Sequence, residues 1–319
     1  MNTTFLKRGA VLALAAVAVM GVQAQTRITY KSAKVGSSYY QMGVEIAEAM
    51  KAGSKGAVVV TVEESQGSTQ NVMEVRARGA DYVFTTPPAL IKAAQGATGP
   101  FKDKGDAKFA QIRALFPIPA LTMHLVARAD RGIHNWTDLA GKSLLLGKGS
   151  FGAKEGEKYL TLFGVKDQVK LVDVELSNAV AALKNGQVDA FVTAGSWPAP
   201  NVVEAAASTP VKVVGMTPEQ VAQTKQGELT IPAGTYAGQD SAVKTTTLPV
   251  VAYTTTAMSE DTAYQLTKTF WEQKDALSAQ AAWWRGVNAD LLSNISGQIH
   301  PGAVRYYRER GFALRADQQ

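Results

Sequence analysis

Three short loops carry the residue types that hold small anions: Gly36-Ser37-Ser38, Gly67-Ser68 and Gly149-Ser150-Phe151-Gly152. Each follows an apolar run and precedes an amphipathic one, so each reads as the loop that leaves a strand and opens a helix. Glycine lets the backbone come close to another group, and serine caps the helix with its hydroxyl. The first N–H groups of the helix and the positive end of its dipole then suit a carboxylate or a phosphate. Serine in such a place is also an ordinary N-cap with no ligand at all. Three such loops at the carboxyl ends of strands match the way open α/β sheets hold ligands.

The third loop satisfies a second pattern. Gly147-x-Gly149-x-x-Gly152 follows a strand and opens a helix, and Asp173 stands about 20 residues on, the spacing of a dinucleotide fingerprint. A nicotinamide-dependent oxidoreductase is therefore the enzyme-class rival. Against it, no clear catalytic acid or base lies near this loop, and Lys148 and Lys154 suit a carboxylate as well as a phosphate. No Gly-x-Ser-x-Gly elbow, His-Glu-x-x-His pair or Gly-Lys-Ser/Thr phosphate loop is present. His124, His134 and His300 have no metal-ligand spacing, and His124 sits in an apolar strand as a structural residue. The sequence thus predicts no catalytic residue, no metal and no cofactor. Trp283-Trp284 reads as packing. Trp197, after Gly195-Ser196 at a strand end, reads equally as cleft wall or as core.

The elements that would position these loops alternate between strand and helix, the signature of an α/β fold. Arg27–Tyr30, Val58–Val62 and Tyr82–Thr85 read as strands, and Tyr39, Met42, Ile46 and Met50 form one apolar face of a helix. Thr122–Arg128, Ser143–Leu146, Val169–Asp173 and Asp189–Val192 follow as strands, with Trp136–Lys142 a polar turn and Ser177–Asn185 a helix. The Gly-, Thr- and Pro-rich stretch Gly227–Thr247 reads as loop, Leu248–Tyr253 as strand and Glu260–Lys274 as helix. Arg78–Thr85 echoes Asn185–Thr193: a Gly stops a helix, an Asp sits in the turn, and an apolar strand ends at Thr. Crossing strands at Thr122–Arg128 and Leu248–Tyr253 would divide the chain into two lobes. Lobe one is then residues 25–125 with 251–319, and lobe two is residues 126–250.

Residues 1–24 have the makings of an export signal. Lys7 and Arg8 precede the apolar run Ala10–Val22, and Val22-Gln23-Ala24 places small residues at the cleavage position, so cleavage is expected after Ala24. The run is too short for the roughly 20 residues that span a bilayer. A single Lys-Arg pair is not a twin-arginine signal, so export is expected of an unfolded chain into the periplasm. With no cysteine in 319 residues, the fold must stand on packing alone. The formal charge of +6 is scattered, without a basic stripe, so nucleic acid is not an expected partner.

Several segments together resemble the TAXI-type solute-binding proteins of TRAP (tripartite ATP-independent periplasmic) transporters. They are Gly36-Ser37-Ser38-Tyr39-Tyr40, Gly67-Ser68-Thr69-Gln70-Asn71, Ala190-Phe191-Val192, Ile231-Pro232-Ala233-Gly234-Thr235-Tyr236-Ala237-Gly238-Gln239 and His300-Pro301-Gly302-Ala303-Val304-Arg305-Tyr306-Tyr307. The resemblance implies a type II periplasmic-binding-protein fold, two lobes closing on a small ligand, and no catalysis. It implies transporter membrane subunits as partners of a monomer, ion-coupled uptake, and a carboxylate or amino acid of the glutamate or 2-oxoglutarate class as ligand. A sensor kinase is an alternative partner. The family's first ligand loop falls on Ser38 and Tyr39, its second on Gly67, Ser68 and Asn71. Two places depart from its pattern: Thr85-Thr86-Pro87-Pro88, and Ser150-Phe151-Gly152-Ala153-Lys154, where a hydroxyl has become Ala153 and an acid Lys154. Lys154 is expected either to reach back to a second carboxylate or to lie in solvent.

Overall fold

Alternating β-branched runs and capped amphipathic helices place the Gly-Ser loops at one rim of a sheet. The computed structural model describes residues 25–319; the expected leader lies outside the described residues. The first half runs β1 (Thr26–Lys31), α1 (Ser38–Gly53), β2 (Val58–Glu63), α2 (Ser68–Glu74), β3 (Tyr82–Thr86), α3 (Pro88–Gln95) and β4 (Ile112–Arg128). Next come β5 (Ser143–Leu145), α4 (Phe151–Leu162), β6 (Lys170–Val172), α5 (Ala179–Lys184), β7 (Ala190–Gly195) and α6 (Pro200–Ser208). The chain continues through β8 (Val211–Val214), α7 (Pro218–Thr224), β9 (Gly227–Ile231) and β10 (Val243–Thr255). It ends with α8 (Glu260–Glu272), α9 (Lys274–Gln280) and α10 (Pro301–Glu309). No helix among the described residues is long and apolar enough to cross a membrane.

The strands join in the order β2-β1-β3-β10-β4-β7-β5-β6, with β8 added on β4 and β9 on β10. β1, β2 and β3 are parallel, as are β5, β6 and β7. The two long strands β4 and β10 run antiparallel to each other and tie the two parallel sets together. At about 3.3 Å per residue the 17 residues of β4 span roughly 55 Å, enough to run through both lobes. Ile112–Leu121 pairs with the second half of β10; Thr122–Arg128 pairs with β7 and β8. This is the periplasmic-binding-protein architecture: two α/β lobes joined by crossing strands.

Two stretches and one residue differ from the sequence expectation. β4 begins ten residues before Thr122, although Pro117 and Pro119 lie within it. At the two prolines β4 pairs with β10 alone, its other edge being bridged only at Ala114, so the missing proline N–H groups break no ladder. Gly227–Thr247 is not a plain loop, because β9 pairs with the first residues of β10, Val243 to Thr247, and only the tip between them is irregular. That tip is held by Tyr236 and Gln239, whose side chains bond backbone groups around it. Trp136, expected in a polar turn, is buried against Tyr159 and Phe163 in lobe two.

Candidate functional site

The loops after β1, β2 and β5 face one another across the junction of the lobes. With Thr85 near the end of β3 and Pro87 just after the strand, Leu121 and Val250 on the crossing strands, and Leu176 and Ala194 from the facing side, they wall a cleft of about 500 Å3, part of it open to solvent. Ser37 caps α1 by accepting from the Tyr40 N–H, and Ser150 caps α4 by accepting from the Ala153 N–H. The first N–H groups of α1 and α4 lack acceptors within their helices, and the two helices start from opposite lobes. Ser68 contributes a hydroxyl that bonds no other group among the described residues.

Most other polar groups in the wall are satisfied internally. The Ser37 hydroxyl donates to the Lys34 carbonyl at 2.6 Å, and the Tyr39 phenol to the Pro119 carbonyl at 2.8 Å. Burial raises the Tyr39 phenol's pKa, so it stays protonated. The Thr85 hydroxyl donates to Tyr30 at 2.8 Å. The charged side chain of the wall is Lys34, which the sequence reading missed. It is 7% exposed, and its Nζ lies 2.6 Å from Glu175 Oε2 of lobe two. A lysine two residues before Gly36, in the small-residue loop Ser32-Ala33-Lys34 at a strand end, was the available signal.

Of the expected site residues, Ser37, Tyr39, Gly67, Ser68, Thr85, Ser150, Phe151 and Gly152 line the cleft. Gly36, Ser38 and Gly195 lie where the lobes touch: the Ser196 N–H donates to the Ser38 hydroxyl at 2.9 Å, and a Cβ on Gly195 would overlap that same hydroxyl. The others stand elsewhere. Asn71 is fully buried and its Nδ2 donates to the carbonyls of Ser32 and Thr85, both at 2.8 Å, so it ties β1 and β3 to α2 instead of offering a donor to the cleft. Thr86 is fully buried behind the wall. Ala153 is a partly buried packing residue. Lys154 is exposed, because Gly152, Gly156, Tyr159 and Leu160 form the inward face of α4. Of its two expected positions Lys154 takes the exposed one, off the cleft wall. Trp197 lines a separate hollow with Pro119 and Trp283 on the other side of the crossing strands.

The loop glycines let the lobes approach each other. Gly67, at φ +111°, would place a Cβ 3.1 Å from the backbone nitrogen of Phe151 in the facing lobe. Gly149, at φ +67°, would place one 2.6 Å from Gln66 Oε1. Gly152 admits Ala194 of β7, with a Cβ 3.1 Å from its nitrogen. The dinucleotide-like glycines therefore have packing roles, and Asp173, which that pattern would aim at a ribose, pairs with Lys148 at 2.9 Å. No group of three or more His, Asp or Glu able to hold a metal occurs among the described residues.

His124 makes a structural pair of bonds: its Nε2 meets the Tyr236 hydroxyl at 2.9 Å and its Nδ1 the Thr122 carbonyl at 3.2 Å. Burial pushes its pKa down to about 4. Trp283 and Trp284 both donate their indole N–H to Glu45, at 3.0 and 2.6 Å.

A model of the NMT1-like family matches residues 31–311, and the chain belongs to that family. Among solved structures, the chain is similar to the periplasmic binding protein BugD: 14% identity over 92% of this chain and 99% of that one, TM-score 0.52. It is also similar to a structure described as a periplasmic transporter, at 11% identity over 89% of this chain and 92% of that one, TM-score 0.52. At such identities the likeness is one of fold.

Proposed function

We propose that this member of the NMT1-like family is an exported, periplasmic solute-binding protein of the TAXI kind. Lobe one (residues 25–125 and 251–319) and lobe two (126–250) close on a small anionic metabolite, a carboxylate or an amino acid, and present it to the membrane subunits of a TRAP transporter. The chain acts as a monomer, matures at Gln25 and catalyses nothing. One observation carries the reading: the first turns of α1 and α4 enter the cleft from opposite lobes, and Lys34 lines the same cleft. Two dipole ends and one ammonium favour an anion that touches both lobes at once. Such a ligand binds the closed form better than the open one, and so drives closure.

A thermal-shift screen of carboxylates and amino acids tests this directly. At 100 times its Kd the true ligand adds about 2.7 kcal/mol of stability, and the bound compound is recovered unchanged. Stabilisation by none of them, or release of a chemically altered product, would defeat the proposal. N-terminal sequencing of protein recovered from the periplasm checks the expected start at Gln25.

A further inference from the structure

The Lys34 ammonium is buried where the two lobes meet. In the closed arrangement its side chain is 8% exposed, and the group that meets it, the Glu175 carboxylate at 2.6 Å, belongs to the other lobe. Glu175 itself keeps 45% of its side-chain exposure. The pair is therefore lopsided. One member is desolvated by closure and the other stays half in solvent. The other cation beside Glu175, Lys148, is 57% exposed and already held by Asp173.

A buried charge with its partner removed is costly, while replacing a whole buried pair by apolar and neutral groups often costs nothing. We propose that Glu175 compensates the charge of Lys34 and so permits the lobes to close, which makes it a determinant of the open–closed balance. Lys34 by itself opposes closure, because an ammonium must leave water. Glu175 removes that opposition. An anionic ligand that contacts Lys34 supplies a second compensating charge, which couples closure to the ligand's charge. The inference rests on the opening and closing assumed in the function above, but its test contains no ligand, so a wrong ligand class leaves it standing.

The chain has no cysteine, so a labelling pair can be introduced cleanly. Lys92→Cys on α3 and Lys158→Cys on α4 are exposed and lie on opposite lobes. Spin labels there report lobe separation by pulsed dipolar spectroscopy on ligand-free protein. The labelled parent should show a measurable closed population. Adding Glu175→Gln should lower the closed-to-open ratio at least about tenfold. Lys34→Met should leave the ratio at or above the parent's, and Lys34→Met with Glu175→Gln should restore it. A parent that is open throughout would overturn the proposal. So would a Glu175→Gln protein as closed as the parent, or two single variants that open equally with no restoration in the double. The last result would make the pair a plain mutual attraction.

Discussion

Glu45 and Lys34 are both charged side chains buried in lobe one, at 3% and 7% exposure, and they are held in opposite ways. Glu45 lies on α1 and accepts from Trp283, Trp284 and Gln41, all donors within the same lobe. Its partners do not change when the lobes part. Lys34 finds its anion in the facing lobe, so its satisfaction depends on the lobes being together. Buried charge alone therefore says little about role. What separates a structural charge from a functional one here is whether its partner belongs to the same rigid body.

The sharpest way to break this comparison is to remove Glu45. Glu45→Ala leaves the buried Trp284 N–H without an acceptor and strips Trp283 and Gln41 of theirs. Bonds to a charged group are worth about 1.5–3 kcal/mol each, and an orphaned buried donor adds its own cost, so a loss of about 3–5 kcal/mol in urea denaturation is expected. The closed-to-open ratio of the surviving folded protein should not move. A shift in lobe separation would show that Glu45 is not confined to one body.

His124 is a further buried titratable group, held by the Tyr236 hydroxyl and the Thr122 carbonyl. Its pKa falls from about 6.5 unfolded to about 4 folded because burial disfavours the charged ring. The unfolded chain thus binds the proton first, and stability is complete above about pH 6.5 and lost as pH falls towards 4. Between pH 7 and pH 5 this amounts to about 2 kcal/mol. His300, whose pKa burial also lowers, adds to the loss with the same sign. Urea denaturation at both pH values measures it, and His124→Asn should remove most of the difference. A slope that survives the substitution would assign the pH dependence elsewhere.

Gly67 stands between the two classes, since its backbone takes a conformation that suits glycine within its own lobe and it touches the other. Gly67→Ala forces a side chain into a conformation essentially reserved for glycine, costing about 1–3 kcal/mol of stability. Its Cβ also presses on the Phe151 nitrogen of lobe two. Gly56, at φ +83° with open space around it, is the control for strain alone. Both alanine variants should lose stability, and the Gly67 variant alone should lose closed population and ligand affinity. Equal behaviour would mean that Gly67 serves its own lobe only.

Much of the frame was readable from local chemistry. The Gly-Ser loops, the parallel strands before them and the serine caps of α1 and α4 follow from period and capping rules. By contrast, α2 has Gly67 at its cap position and no side-chain cap, so Ser68 is not the cap its sequence suggests. What was misread depends on neighbours distant in the chain. Pro117 and Pro119 argue against a strand until β4 is known to pair with β10 alone at that point. The Gly227–Thr247 stretch looks irregular until β9 finds the start of β10. Asn71 has the right type and place for an anion ligand, yet the carbonyls of Ser32 and Thr85 occupy its donors. Lys34 and Glu175 lie 141 residues apart, and nothing local marks either as the other's partner. The more specific resemblance segments mark the scaffold. Tyr236 bonds His124 and the Ala199 N–H, and Tyr307 donates to the Leu115 carbonyl. A Cβ on Gly302 would overlap the Glu260 carbonyl. Segments that carry a resemblance can thus mark a scaffold while saying nothing of a ligand.

Lys154 gives the smallest expected effect and completes the contrast with Lys34. Both are lysines near a Gly-Ser loop, one in each lobe, and loop chemistry alone makes them equal candidates for a second carboxylate. Helical period separates them. Gly152, Gly156 and Tyr159 recur at spacings of four and three and form the face of α4 that packs inward. Lys154 falls off that face, in solvent, and makes no salt bridge among the described residues. An exposed lysine without a partner contributes within about 0.5 kcal/mol to stability. Calorimetry with a dicarboxylate and its monoamide should give Lys154→Ala the same affinity for each as the parent, within about twofold. The same titrations on Lys34→Met should weaken both, because each carries a carboxylate that would meet the lost ammonium. If Lys154→Ala instead lost a preference for the diacid, the lysine would reach the cleft in the ligand-bound form, and the division between the two lysines would fall.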